Sequence, residues 1–243
     1  MTHCVPASGS RSSGSGIDPR LARVNTAPPT RIHPTAIVEE GVRLGKGTSV
    51  WDNVHIRRDA QIGDDCIIGG KSTIAYGVAI GNRVKINSYV YICHGVTIED
   101  GVMISAAVVF TNDRFPRAAT SDLSQLRSSD PDEHTLPTIV RCGATIGARA
   151  TIGPGLEIGA FAMIGMGSVV TRSVEPFHLV VGNPARAVGA VCRCGEPIYR
   201  FGQADVPVQL APPAAAPSPM ITCSTCHAKY HIMDQAVHEV SSG

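Results

Sequence analysis

From Ile37 the chain divides into blocks of six residues, IVEEGV RLGKGT SVWDNV HIRRDA QIGDDC IIGGKS TIAYGV AIGNRV KINSYV YICHGV TIEDGV MISAAV VFTNDR. The second residue of each block is apolar, running from Val38, Leu44 and Val50 through Ile56, Ile62, Ile68, Ile74, Ile80, Ile86, Ile92, Ile98 and Ile104 to Phe110. Four residues after each of these comes a small or branched side chain, among them Val42, Thr48, Val54, Ala60, Cys66, Ser72, Val78 and Val84. The pattern lapses between about Asp113 and Pro137. It resumes as IVRCGA TIGARA TIGPGL EIGAFA MIGMGS VVTRSV, with Val140, Ile146, Ile152, Ile158, Ile164 and Val170 in the same slot. A period of six is a multiple of the strand repeat and fits no helical one, so all these side chains fall on one side of an extended chain.

One such short strand cannot bury its apolar side alone. Stacked about 4.8 Å apart, the strands line their apolar residues into one internal column, the arrangement of a hexapeptide β-helix. The expected fold is therefore all-β: a parallel β-helix with one looped-out insertion and a small C-terminal tail. Residues 1–29, with the run SGSRSSGSG, are too polar and too rich in Gly and Ser to pack and read as a disordered tail. The helical coil takes residues 30–190, with the loop at 113–137. A cysteine-bearing tail with an Ala/Pro-rich linker takes 191–235, and 236–243 reads as a disordered end. An insertion in a repeat scaffold is tolerated at a corner, and such insertions usually bind ligands.

Charge and cysteine usage narrow the partners. A formal net charge of +1 over 243 residues offers no field for nucleic acid or an acidic membrane, and no apolar run is long enough to span a bilayer. Eight Cys at irregular spacing suit a reducing, cytoplasmic setting and point to metal binding or free thiols over a disulfide framework. Cys192 and Cys194 form a C-x-C pair, and Cys223 and Cys226 a C-x2-C pair. Four thiolates in two close pairs suit a tetrahedral, structural Zn2+ that pins the tail.

If three blocks make a turn, residues 18 apart stack directly. Tyr76, His94 and Asn112 then form one outward column, and Gly69, Asn87 and Ser105 another on the same face. His94 is placed to accept a proton in catalysis. In the loop, Arg114 and Arg117 could clasp a diphosphate or carboxylate.

The hexads resemble those of the left-handed β-helix acyltransferases, in which three hexads make a triangular coil and three chains pack side by side. More narrowly, VKINSYVYICHGVTIEDGVMISAAVVFTNDRFPRA and the stretch from TIVRCGATIG to VVGNPARAVGAVCRCGE resemble the nucleotide-sugar N-acetyltransferases that acetylate a 3-amino sugar. One such substrate is UDP-2-acetamido-3-amino-2,3-dideoxyglucuronate. The resemblance implies acetyl-CoA as donor, a nucleotide-sugar amine as acceptor, a role in surface polysaccharide or glycoside biosynthesis, and a homotrimer with sites between subunits. It implies that Asn87 and Asn112 meet the acceptor. Ser88 and Tyr89 stand where the family has two asparagines after its Gln, which bears on acceptor identity. Gly165, Gly167, Thr171 and Arg172, with the strap residues Gly182, Asn183, Pro184, Ala185 and Arg186, match the family's CoA-lining region.

Two other readings use the same coil. VWDNVHIRRDAQIG, with Arg57, Asp59 and Gln61, is similar to hexapeptide carbonic anhydrases, whose chemistry needs three converging His. A non-catalytic scaffold whose zinc tail binds a partner is the third.

Overall fold

The structure, a computed structural model, describes residues 29–202 and 220–240. The expected N-terminal tail (but for Pro29), the Ala/Pro-rich linker and residues 241–243 lie outside the described residues. Each block sets a pair such as Ile67–Ile68 or Tyr91–Ile92 into a short strand, and the intervening residues turn a corner. Successive turns pair in parallel with a shift of one coil: Lys85 lies beside Ile67 on one side and Met103 on the other. The result is three sheets of ten, seven and six strands. They are called here the first face (with Lys85–Ile86), the second (with Tyr91–Ile92) and the third (with Val96–Ile98). The chain visits them in that order, so the first corner joins the first and second faces, the second corner joins the second and third, and the third returns to the first.

The apolar rungs occupy the interior as expected. Ile56, Ile68, Ile74, Ile86, Ile92, Ile104, Phe110 and Ile146 are fully buried, while Val38 and Leu44 are half-buried where the coil is open at its start. The companion series points inward too, and its polar members are satisfied. Buried Ser72 donates to the Asn87 carbonyl at 3.1 Å and accepts from the Val90 amide at 3.1 Å, closing the hydrogen-bond account that burial demands. Cys66, in the same series, is a buried free thiol.

The insertion leaves at the second corner, between Val109–Phe110 on the second face and Thr138–Val140 on the third. Its two ends are tied together by an Asp113–Thr135 bridge and by the Leu136 amide donating to the Asn112 carbonyl at 2.7 Å.

Past the coil, an exit strand (His178–Gly182) adds in parallel to Met163–Ile164 on the first face, and a return strand (Ala185–Val191) pairs back on it antiparallel. Ala185 and Ala187 of the return strand pack against the core cluster of the coil. After Pro197–Arg200 comes a separate three-stranded sheet of Met220–Thr222, Lys229–Met233 and Ala236–Val240. The expectation of a disordered end from residue 236 is therefore corrected. Ala236–Val240 pairs along the whole of Lys229–Met233, and Val237 is buried with Tyr230 and Ile232 in a small second core. Among the described residues no helix is long and apolar enough to cross a membrane.

Candidate active site

The second corner carries the column that 18-residue spacing predicts. The Tyr76 and His94 rings stack with centroids 4.4 Å apart, and the Asn112 side-chain amide donates to the His94 carbonyl at 3.0 Å. Below them the Arg58 guanidinium lies over the Tyr76 ring, 4.9 Å from its centroid. Arg58 stands 18 positions before Tyr76, so the same spacing could have found it. The orientation of His94 is fixed by its partner. Nδ1 lies 3.0 Å from the Tyr76 backbone carbonyl, which can only accept, so Nδ1 holds the proton. In the neutral ring the lone pair is then on Nε2, which no protein group among the described residues engages. Cys93, next in sequence, is no rival nucleophile, since burial pushes its thiol up to about 11.

Asn87, Ser88 and Tyr89 are at the first corner, not beside His94. The two columns flank the second face at its opposite edges, whereas the sequence reading put them on one face. From Val90 to His94 the chain runs extended for roughly 13 Å, so a single chain does not bring Asn87 and His94 onto one amine. Asn87 and Ser88 are half-buried, and Tyr89 is exposed with φ of 62°. The Lys71 ammonium donates to the Tyr89 hydroxyl at 3.0 Å, and that bond raises the Lys71 pKa. Gly69 also has a different reason from the one its type suggests. A Cβ there would stand 2.5 Å from the Asn87 carbonyl carbon and 2.6 Å from the Ser88 nitrogen, so the close approach is made by the next coil and not by a ligand.

Arg114 and Arg117 are exposed in the insertion, which rises from the same corner as His94. Arg114 is anchored by its amide to the His134 carbonyl at 3.0 Å, with its guanidinium over Phe115, and Arg117 reaches back to the Pro116 carbonyl at 3.0 Å. Their guanidinium groups have no carboxylate partner among the described residues.

The residues matched to CoA lining also divide. Gly165 and Gly167 are at the first corner of the last coil, and Thr171 and Arg172 are at its second corner. The hairpin tip Gly182–Asn183–Pro184, with a cis Asn183–Pro184 peptide, sits over the first corner, because the Gly165 amide bonds the Val180 carbonyl at 2.8 Å. Ser168, fully buried, accepts the Gly182 amide at 3.2 Å and fastens this tip. Sequence reasoning missed Ser168, although its slot is the one Ser72 uses. Arg172 and Arg186 come together after all, lining one cavity of about 140 Å³ at the coil's end with Ser173, Ala185 and Ala187. A larger cavity of about 940 Å³ opens on the third face near Gln61, Thr97, Arg141 and Glu157, away from every column above.

At the opposite end of the return strand, the Sγ atoms of Cys192, Cys194, Cys223 and Cys226 lie within 4.8 Å of one another. Cys192 and Cys223 are buried, and the other two are exposed. This donor set suits a tetrahedral metal ion. It is the one cluster of three or more potential metal ligands among the described residues, and no three-His centre of the carbonic anhydrase kind is formed among them.

Residues 41–76 and 77–112 match the family described as bacterial transferase hexapeptide (six repeats), and residues 137–172 match the hexapeptide repeat of succinyl-transferase. The chain is 46% identical over 163 residues to dTDP-3-amino-3,6-dideoxy-alpha-D-galactopyranose 3-N-acetyltransferase of Aneurinibacillus thermoaerophilus, an alignment spanning 67% of this chain and 79% of that one. It is 27% identical over 163 residues to the bifunctional protein GlmU of Heliobacterium modesticaldum, spanning 63% of this chain and 35% of that one. Among solved structures, PerB from Caulobacter crescentus in complex with CoA and GDP-perosamine is similar at 24% identity and a TM-score of 0.39, covering 67% of this chain and 58% of that one. The chain belongs to the hexapeptide-repeat acyltransferases, in their nucleotide-sugar N-acetyltransferase branch.

Proposed function

We propose that the protein transfers the acetyl group of acetyl-CoA to the amino group of a nucleotide-linked 3-amino sugar, for surface polysaccharide or glycoside biosynthesis, in the cytoplasm. The observation that carries this reading is the fixed tautomer of His94, which leaves the basic Nε2 of a part-buried imidazole without a hydrogen-bond partner among the described residues. The neutral amine attacks the thioester carbonyl, and its proton passes to Nε2 of His94. The tetrahedral intermediate then collapses, the C–S bond breaks, and the departing CoA sulfur recovers that proton from Nε2. Asn112, bonded through its amide to the His94 backbone, keeps its side-chain oxygen for the acceptor, and Arg114 and Arg117 meet the diphosphate.

The acyl donor lies along the hairpin tip, where Gly165, Gly167 and the strap Asn183, Pro184 and Arg186 line the approach of the pantetheine arm, and Arg172 with Arg186 meets phosphate. Tip and base stand at different corners of one chain, so the working unit is a homotrimer in which the first corner of one subunit faces the second corner of its neighbour. Exposed apolar side chains fit such packing: Leu123 and Leu126 in the insertion are each 81% exposed, and Tyr91 and Val109 face outward on the second face. The Cys192, Cys194, Cys223 and Cys226 cluster holds a structural Zn2+, as four protein ligands leave no open position for chemistry.

Thiol release from acetyl-CoA, followed with dTDP- and UDP-linked 3-amino sugars and with 4-amino isomers, tests the reading. Turnover confined to the 3-amino sugars, with an N-acetylated product by mass, is expected. Carbon dioxide hydration without thiol release would overturn it.

A further inference from the structure

The return strand joins two places that the chemistry treats separately. It starts beside the hairpin tip, with Arg186 paired to Val181, and runs without interruption to Val191, after which Cys192 follows directly. The far end of the strand is thus the first thiol of the cysteine cluster. Two of its four Sγ atoms, those of Cys194 and Cys223, are 3.7 Å apart, and those of Cys192 and Cys226 are 3.2 Å apart. A tetrahedron of thiolates at about 2.3 Å from Zn2+ has edges of roughly 3.8 Å, so a single ion fits with a slight expansion of the second pair.

The surroundings are built for such a site. The Tyr230 hydroxyl, fully buried, lies 3.1 Å from Cys192 Sγ and accepts the Arg193 amide at 2.9 Å, which leaves its own proton available to a thiolate at Cys192. Backbone turns close both cysteine pairs, with the Gly195 amide on the Cys192 carbonyl at 2.8 Å and the His227 amide on the Cys223 carbonyl at 3.0 Å. The core around them is small: Ala190, Cys192, Ile198, Phe201, Cys223, Tyr230, Ile232 and Val237. A core of this size does not hold a three-stranded sheet unaided, and metal binding is the usual supplement. That sheet in turn grips the strap, since His178 Nε2 donates to the Gln235 carbonyl at 2.8 Å and Tyr230 packs edge-on against Phe177.

We propose that a Zn2+ tetrathiolate of Cys192, Cys194, Cys223 and Cys226 is the rear anchor of the acyl-donor hairpin, so that metal occupancy sets how well the tip holds CoA. This rests on the reading that the tip lines the donor. Tyr230 is a positioning residue, holding the Cys192 sulfur through its hydroxyl.

The experiment uses the full chain purified under reducing conditions. Elemental analysis is expected to give about one Zn2+ per chain, and Co2+ exchange should produce the absorption of a tetrahedral thiolate site. CoA affinity by calorimetry should fall roughly tenfold when the metal is stripped and return when Zn2+ is restored. Tyr230→Phe should keep its zinc but surrender it to a chelator several-fold faster. A metal-free protein whose cysteines pair as disulfides, or one that holds iron, overturns the site. Zinc present with CoA affinity unchanged on stripping overturns the coupling. Stoichiometric zinc in a protein that binds no CoA at all sinks the acetyltransferase reading instead, and the anchoring role with it, while the metal site stands.

Discussion

His94 shows how much one hydrogen bond decides. Because the Tyr76 carbonyl holds Nδ1–H, replacing the ring with an amide removes the base without removing the column, so His94→Gln should lower kcat by about a hundredfold or more with little change in KM. Steady-state kinetics checks this, and an unchanged kcat would remove His94 from the mechanism. Gly69 makes a prediction of the opposite kind. Its missing Cβ is demanded by the backbone of Asn87 and Ser88, so Gly69→Ala should cost about 1–3 kcal/mol in denaturant unfolding. Both columns were legible from spacing alone, because stacking at 18 residues follows from the hexad. The tautomer was not legible, since it depends on which carbonyl the ring meets, and neither was the purpose of Gly69, since a close approach looks the same in sequence whoever makes it.

The coil carries an element-scale joint across the insertion. Arg141, just after it, donates from Nη1 to Glu99 before it at 2.8 Å and from Nε to Glu157 one coil on at 2.7 Å, while Glu99 also accepts the Cys142 amide at 2.9 Å. The hydrogen bond from Arg141 holds the Glu157 carboxyl below its ordinary range, against a smaller opposing effect of burial. A folded pKa below the unfolded one means that the stabilisation is full above about pH 4.3, the unfolded value, and fades as pH falls through the folded value. The thermal midpoint should therefore drop below that pH, and Arg141→Gln should flatten the dependence. All three side chains are between one third and about half exposed, so the pair contributes less than about 1 kcal/mol. A midpoint equally sensitive to acid in the variant would assign the effect elsewhere. The insertion's limits could be read from sequence because a repeat makes its own interruption visible. Nothing repeats beyond Val174, so the hairpin, the Ser168 fastening and the strand Ala236–Val240 became evident only through pairings between distant segments.

At the scale of the whole molecule, the triangular coil separates what the chemistry must join. Asn87 and the hairpin tip belong to the first corner, His94, Asn112 and the insertion to the second, and the second face lies between them. In the proposed homotrimer the first corner of one chain meets the second corner of the next, and on that proposal every site draws His94 from one subunit and Asn87 from another. His94→Gln and Asn87→Ala should each be nearly inactive as purified trimers. In trimers formed at random from equal amounts of the two, a site is intact when its His94 comes from the Asn87→Ala chain and its Asn87 from the His94→Gln chain, which happens in about one site in four. Co-expression with two different tags and tandem purification keeps only the mixed trimers, each of which has one of its three sites intact, so turnover should recover roughly a third of the wild-type activity. Trimers that demonstrably contain both chains yet stay as inactive as their parents would place His94 and Asn87 in the same subunit's site. A stable, fully active monomer by light scattering would remove the shared site altogether.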